Sequence, residues 1–104
     1  MSNLKDKVAI VTGAGQAQGI GRAVALKLAE QGASTVITDL ESASGLEAIA
    51  EEIEKTTGRR CLPLFCDITN EGDIENCLEK TMAEFNHVDI LVNNAGVAGQ
   101  GTNF

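Results

Sequence analysis

The chain has 104 residues, 43% of them hydrophobic, with 8 basic and 15 acidic side chains and a formal charge of −7. That length suits one small domain with a core of its own. The acidic balance argues against a nucleic-acid partner, which calls for a basic face, but leaves room for a nucleotide cofactor held by backbone N–H groups.

No window has the roughly 18 apolar residues of a membrane span. The opening residues, MSNLKDKVAI, carry no apolar signal-peptide core. We therefore expect no membrane partner. Cys61, Cys66 and Cys77 contain no C-x-x-C pair. They read as buried thiols in a reducing compartment, not as a metal or redox centre, and the expected location is the cytoplasm. Cys61 and Cys66 are an odd number of residues apart, so a strand would point them to opposite faces.

Residues 8–11, VAIV, form a short continuous apolar run, as in a strand buried on both faces. Residues 12–21, TGAGQAQGIG, then hold four glycines. A helix is predicted over 20–31, where Gly21, Val24, Ala25, Leu28 and Ala29 share one face. Gly32 is its stop. A second strand, STVIT over 34–38, ends at Asp39. The next helix is predicted over 43–57, with Leu46, Ile49, Ala50 and Ile53 as its buried stripe and Gly58 as its end. CLPLFC, 61–66, is a third strand, and Pro63 places it at a sheet edge because proline cannot donate to a ladder.

A third helix is predicted over 71–85, with Ile74, Cys77, Leu78, Thr81 and Phe85 on one face and acidic Glu71, Asp73 and Glu75 near its positive end. Asn86 suits a left-handed cap. VDILV, 88–92, is the fourth strand. This βαβαβαβ alternation means a parallel sheet with right-handed crossovers. With the third strand at an edge, the order is 3-2-1-4, the first half of a doubly wound, Rossmann-like α/β sheet. Residues 1–104 are expected to be one such half-domain.

In that topology the glycine turn lies at the switch point of the sheet, facing the free N–H groups and positive end of the following helix. A pyrophosphate fits there if side chains do not block it. Gly13 would make the tight turn, Gly19 would let the backbone approach the phosphates, and Gly21 would let the helix lie close to the sheet. The strict G-x-G-x-x-G spacing fails, because Gln18 stands in the third position after Gly13 and Gly15. Asp39, 18 residues after Gly21, stands where a carboxylate can accept from both ribose hydroxyls of an adenosine. It can equally be a solvated loop carboxylate. Asp67 ends the third strand in the same relative place, as an adenine neighbour or as a simple cap.

With these residues in view, the chain resembles the N-terminal, cofactor-binding half of a short-chain dehydrogenase/reductase. That family opens with Thr-Gly-x-x-x-Gly-x-Gly, and Thr12-Gly13 with Gly19-Ile20-Gly21 is similar to it. This chain differs in having five residues, Ala14 to Gln18, where the family has three. Residues 93–96, NNAG, are the second signature, and 85–96, FNHVDILVNNAG, is similar throughout. The resemblance implies that Gly13, Gly19, Ile20 and Gly21 line the pyrophosphate and that Asp39 holds the adenosine ribose. It puts Asp67 and Ile68 at the border of the adenine. It runs Asn93, Ala95 and Gly96 under the nicotinamide-side ribose, with Asn93 and Asn94 tying the fourth strand to the turn near Thr12. His87, Lys5 and Lys7 read as solvated surface residues, and Arg22, following the glycine turn, either approaches a phosphate or is a solvated helix-start residue.

The family's chemistry uses a Tyr-x-x-x-Lys pair, an upstream Ser, and an Asn on a fourth helix. This chain has no tyrosine. We therefore assign no catalytic residue and no metal, and expect a truncated portion of an NAD-dependent oxidoreductase. Asp39, with no Arg or Lys at Gln18 or Leu40, points to NAD over NADP. A small-molecule alcohol or carbonyl substrate is expected only in an intact parent protein. Self-association is expected through the open edge of the fourth strand. Two other readings stay open: a stand-alone dinucleotide-binding or regulatory module, and a Rossmann-like methyltransferase, against which Thr12-Gly13 and NNAG speak.

Overall fold

The computed structural model describes residues 3–16, 19–43 and 45–94. The elements in chain order are β1 (Val8–Thr12), α1 (Ile20–Glu30), β2 (Ser34–Asp39), α2 (Leu46–Thr57), β3 (Cys61–Phe65), α3 (Glu71–Phe85) and β4 (Ile90–Val92). All four strands form one parallel sheet in the order β3-β2-β1-β4. The expected topology is the observed one, and Pro63 does lie in an edge strand.

Strand β1 is central and fully buried. Its residues alternate between the two faces of the sheet. On one face Val11 and its register partner Ile37 meet Ala25 and Ala29 of α1 and Leu46, Ile49, Ala50 and Ile53 of α2. Cys61 closes this core at the β3 end, whereas Cys66 looks onto the opposite face, so the two thiols do separate as expected. Small alanines on α1 let the helix sit close to the strands, and larger aliphatics on α2 fill the space beyond them.

The opposite face carries α3 alone among the described residues. Between this helix and the sheet lies a cavity of about 300 Å³, walled by Ile10 and Leu91 from the strands and by Ile74, Cys77 and Leu78 from α3. Only Cys77 and Thr81 of the expected α3 stripe are buried. Ile74 and Leu78 stay partly in solvent because a single helix cannot cover four strands. Leu91, on the edge strand β4, is 66% exposed.

Element ends follow local chemistry. Gly32, Gly58 and Asn86 take left-handed conformations after α1, α2 and α3, at φ of 106°, 74° and 74°. The side chain of Asn70 accepts from Asp73 N at 3.0 Å and caps α3. Two starts differ from expectation. Helix α2 begins at Leu46, not at 43, because Ala43 N donates to Leu40 O in a tight turn first. Strand β4 begins at Ile90, because the side chain of Asp89 accepts from Val8 N at 2.8 Å and its own N–H donates to Val8 O.

The two faces should respond differently to truncation. Ile53, 1% exposed beneath the sheet, should cost about 2–5 kcal/mol on replacement by Ala. Leu78→Ala, on the open side at 45% exposure, should cost less than about 1 kcal/mol. Urea denaturation of both variants checks the order.

Candidate functional site

The C-terminal ends of the parallel strands gather most of the expected residues at one rim. The chain leaves β1 at Thr12 and turns at Gly13, whose φ of 68° is unfavourable for any residue with a Cβ. Ala14 N donates to Thr38 O at 3.0 Å, which holds the start of the turn against β2. Gly19 N donates to Gln16 O at 2.9 Å at the other end of the loop. Helix α1 then opens from Gly19 without a side-chain cap and without an acidic residue in its first turn. Its first amides thus face the rim with no intrahelical acceptor. Ile20 is 71% exposed beside them.

Gly21 is required by packing. A Cβ at this position would lie 2.7 Å from Gly13 O and 3.0 Å from both Ala14 Cα and Asn94 Nδ2. The close helix-to-sheet approach anticipated from sequence is therefore a contact between α1 and the turn itself. Gly19 is less crowded, with its nearest would-be contact Gln16 O at 3.2 Å.

The asparagines after β4 lock onto this turn. Thr12 Oγ1 accepts from Asn94 N at 3.0 Å and lies 3.3 Å from Asn93 Oδ1 and 3.4 Å from Val92 O. Asn94 Nδ2 donates to Gly13 O at 3.1 Å. A hydroxyl is suited to this position because it both accepts and donates. Ala95 and Gly96, expected under the second ribose, lie outside the described residues.

Asp39 stands at the end of β2. Its Oδ1 accepts from Leu40 N at 2.8 Å, and its Oδ2 accepts from Gly15 N at 2.7 Å, across to the glycine turn. Asp67 and Ile68 lie one strand further along the rim, where Cys66 N donates to Asp39 O at 2.9 Å. Oδ1 of Asp67 accepts from both the N–H and the hydroxyl of Thr69, which holds its carboxyl below the usual range. That is the local cap weighed from sequence. Ile68 helps wall the cavity under α3, together with Thr12, Thr38 and Asn93.

Other polar residues stand apart from the rim. Arg22 forms a two-pronged pair with Glu52, at 3.1 and 2.5 Å, and so joins α1 to α2. His87 lies at the opposite end of the sheet, 3.0 Å from Asp6 O and 3.1 Å from Asp89 Oδ2. Burial pushes the Cys61 thiol up to about 11 and raises Cys66 and Cys77 as well. All three are unpaired, and no group of metal ligands exists among the described residues.

A glycine turn at the switch point, an uncapped helix start, an acidic residue at the end of β2 and an asparagine pair after β4 coincide here. The short chain dehydrogenase family model matches residues 7–104. The chain belongs to the short-chain dehydrogenase family. It is 45% identical to the 3-oxoacyl-[acyl-carrier-protein] reductase FabG of Escherichia coli K12, over 91% of this chain and 36% of that protein. It is 38% identical to a 12alpha-hydroxysteroid dehydrogenase of a Clostridium species, over 91% and 38%. The crystal structure of L-sorbose reductase from Gluconobacter frateurii, complexed with NADPH and L-sorbose, superposes with a TM-score of 0.82 at 32% identity, over 89% of this chain and 34% of that one. The chain thus spans little more than a third of the length of these relatives. The family match speaks against the methyltransferase reading.

Sequence reading missed two contacts that shape this site. One is the Gly15–Asp39 hydrogen bond, hidden because Gly15 lies in the part of the turn that departs from the family spacing. The other is the Asp89–Val8 bond, which fixes β4 against β1. The Thr12 lock gives a direct test. Thr12→Val keeps the shape but strands Asn94 N, and should cost about 1–3 kcal/mol. Thr12→Ser should recover at least half of that loss, as read by thermal or urea melts.

Proposed function

We propose that this chain is the dinucleotide-binding portion of a short-chain oxidoreductase that moves hydride between NAD(H) and an alcohol or carbonyl substrate. The observation that carries the reading is the cradle at the rim. Gly13 turns at positive φ, Gly21 lets α1 pack directly on that turn, and α1 starts with no side-chain cap on its first N–H groups. Gly13, Gly19, Ile20 and Gly21 would line the pyrophosphate. Asp39 would accept from the adenosine ribose, and Asp67 and Ile68 would border the adenine. Asn93, with Ala95 and Gly96, would run under the second ribose. The cofactor would supply the hydride acceptor or donor.

No residue here is assigned to move a proton during that transfer. The chain contains no tyrosine, and its single histidine is at the far end of the sheet. The catalytic apparatus, the substrate pocket and the choice of substrate are assigned to the intact parent. A stand-alone regulatory module would use the same cradle. The unpaired buried thiols agree with a reducing, cytoplasmic location. No helix among the described residues is long and apolar enough to cross a membrane.

Asp39 favours NAD. The 2′-phosphate of NADP would bring like charge to a carboxylate, which at about 4 Å and an effective dielectric of about 20 costs about 4 kcal/mol before screening. A remainder of about 1–3 kcal/mol corresponds to about 5–150-fold. Isothermal titration of the chain with both cofactors should give that preference, and the same preparation should show no NADH-linked turnover with alcohols or carbonyls. Equal affinities would refute the preference, and turnover at ordinary enzyme rates would refute the assignment of catalysis elsewhere.

The open side of the sheet supports self-association. Strand β4 has backbone groups unpaired along its outer edge among the described residues, and Leu91 on it and Leu78 facing it across the cavity expose apolar surface. Sedimentation velocity over a concentration series should show a rising average mass for the chain alone. A strict monomer at every concentration would refute this.

A further inference from the structure

Asp39 touches more than a ribose-reading position requires. Its Oδ2 accepts from Gly15 N at 2.7 Å while Oδ1 accepts from Leu40 N at 2.8 Å. An ionised carboxylate has about four acceptor positions. Two are taken by these backbone donors, and two remain for a vicinal diol.

Gly15 is also held by shape. A Cβ there would stand 2.8 Å from Ala43 Cβ, 2.9 Å from Asp39 Oδ2 and 3.0 Å from Asp39 Cβ. A Cβ on Gly45 would meet Gly15 O at 3.0 Å. The glycine turn and the loop between β2 and α2 therefore press together at this one residue. Gly15 belongs to the stretch that is two residues longer than the family pattern. A longer turn has more conformations to lose on ordering, so a fixed anchor inside it matters more than it would in a short one.

We propose that Asp39 is the positioning residue of the lengthened glycine turn. Its carboxylate fixes Gly15 before any cofactor binds. The group that reads the adenosine ribose thereby also sets the shape of the phosphate cradle. The second half of this statement rests on the dinucleotide-binding reading above, and the first half does not. One consequence is that cofactor choice cannot be reversed at position 39 alone. An asparagine has one acceptor oxygen, and its NH₂ group would face a backbone donor. It removes the charge and leaves either Gly15 N or Leu40 N without its acceptor in the same step.

The test uses the full 104-residue chain and its Asp39→Asn variant, with residue-resolved amide exchange in the absence of cofactor. Ala14 is the internal control, because its N–H donates to a backbone carbonyl, Thr38 O. Exchange at Gly15 or Leu40 should accelerate about tenfold or more in Asp39→Asn, while Ala14 and the β1 amides keep their protection. Unchanged exchange at both Gly15 and Leu40, the two amides that Asp39 accepts from, overturns the proposal. If the variant loses protection throughout, a second pair decides. Asp39→Glu, which keeps a carboxylate, should hold Gly15 more protected than Asp39→Ala does; equal exchange at Gly15 in the two overturns the proposal.

Titration with NAD and NADP supplies the functional readout. Asp39→Asn should bind NAD about tenfold more weakly and gain no more than about threefold for NADP. A gain of the full 5–150-fold expected from lost charge alone would overturn the coupling. If the unmutated chain binds neither cofactor, the dinucleotide reading fails while the exchange result still decides whether Asp39 anchors the turn.

Discussion

The candidate site depends on how closely helix α1 approaches the turn that feeds it. With a would-be Cβ of Gly21 only 2.7 Å from Gly13 O, there is room for backbone and nothing else. That contact sets the direction of α1 and hence where its first amides point. It also brings Asn94 within 3.1 Å of Gly13 O, so that the ends of β1 and β4 are joined through the same carbonyl. The parallel order β3-β2-β1-β4 puts this junction at the point where the chain changes direction across the sheet.

The electrostatics of the rim are those of a backbone site. The chain is acidic overall, and the basic side chain nearest the turn in sequence, Arg22, is engaged with Glu52. Attraction for a phosphate must then come from peptide dipoles and free N–H groups, which is the usual resource of a helix N-terminus. Asp39 adds negative charge close to this place, and its carboxylate is held by backbone donors from Gly15 and Leu40. On the reading proposed above, this would place an anion-accepting helix start beside a hydroxyl-accepting carboxylate, a pairing that suits a dinucleotide better than a free phosphate.

Much of the fold was legible in the sequence because its signals were local. Gly58 and Asn86 end helices through the left-handed conformation, and Asn70 caps α3 with its own side chain. Pro63 marked the edge strand, and the switch of apolar period separated strands from helices. What was not legible came from tertiary contacts. The late start of α2 reflects the turn over 40–43, which lies beneath Gly15. The short β4 reflects the carboxylate of Asp89 standing in as a partner for Val8 N. The exposure of Ile74 and Leu78 depends on what else covers that face, which helical periodicity on α3 has no means of encoding. Local grounds favour a cap at Asp67 over an adenine contact, and its bonds from the Thr69 N–H and hydroxyl are that cap.

The central claim is that the rim formed by the glycine turn, Asp39 and the asparagine pair binds a dinucleotide. The most direct measurement is residue-resolved NMR of the chain titrated with NAD. The account predicts saturable shifts at Gly13, Gly15, Gly19, Ile20, Gly21, Asp39 and Asn93, with His87, Asp6 and Asp89 at the opposite end of the sheet unmoved. Shifts confined to that opposite end, or none at millimolar NAD while the chain remains folded, would contradict it.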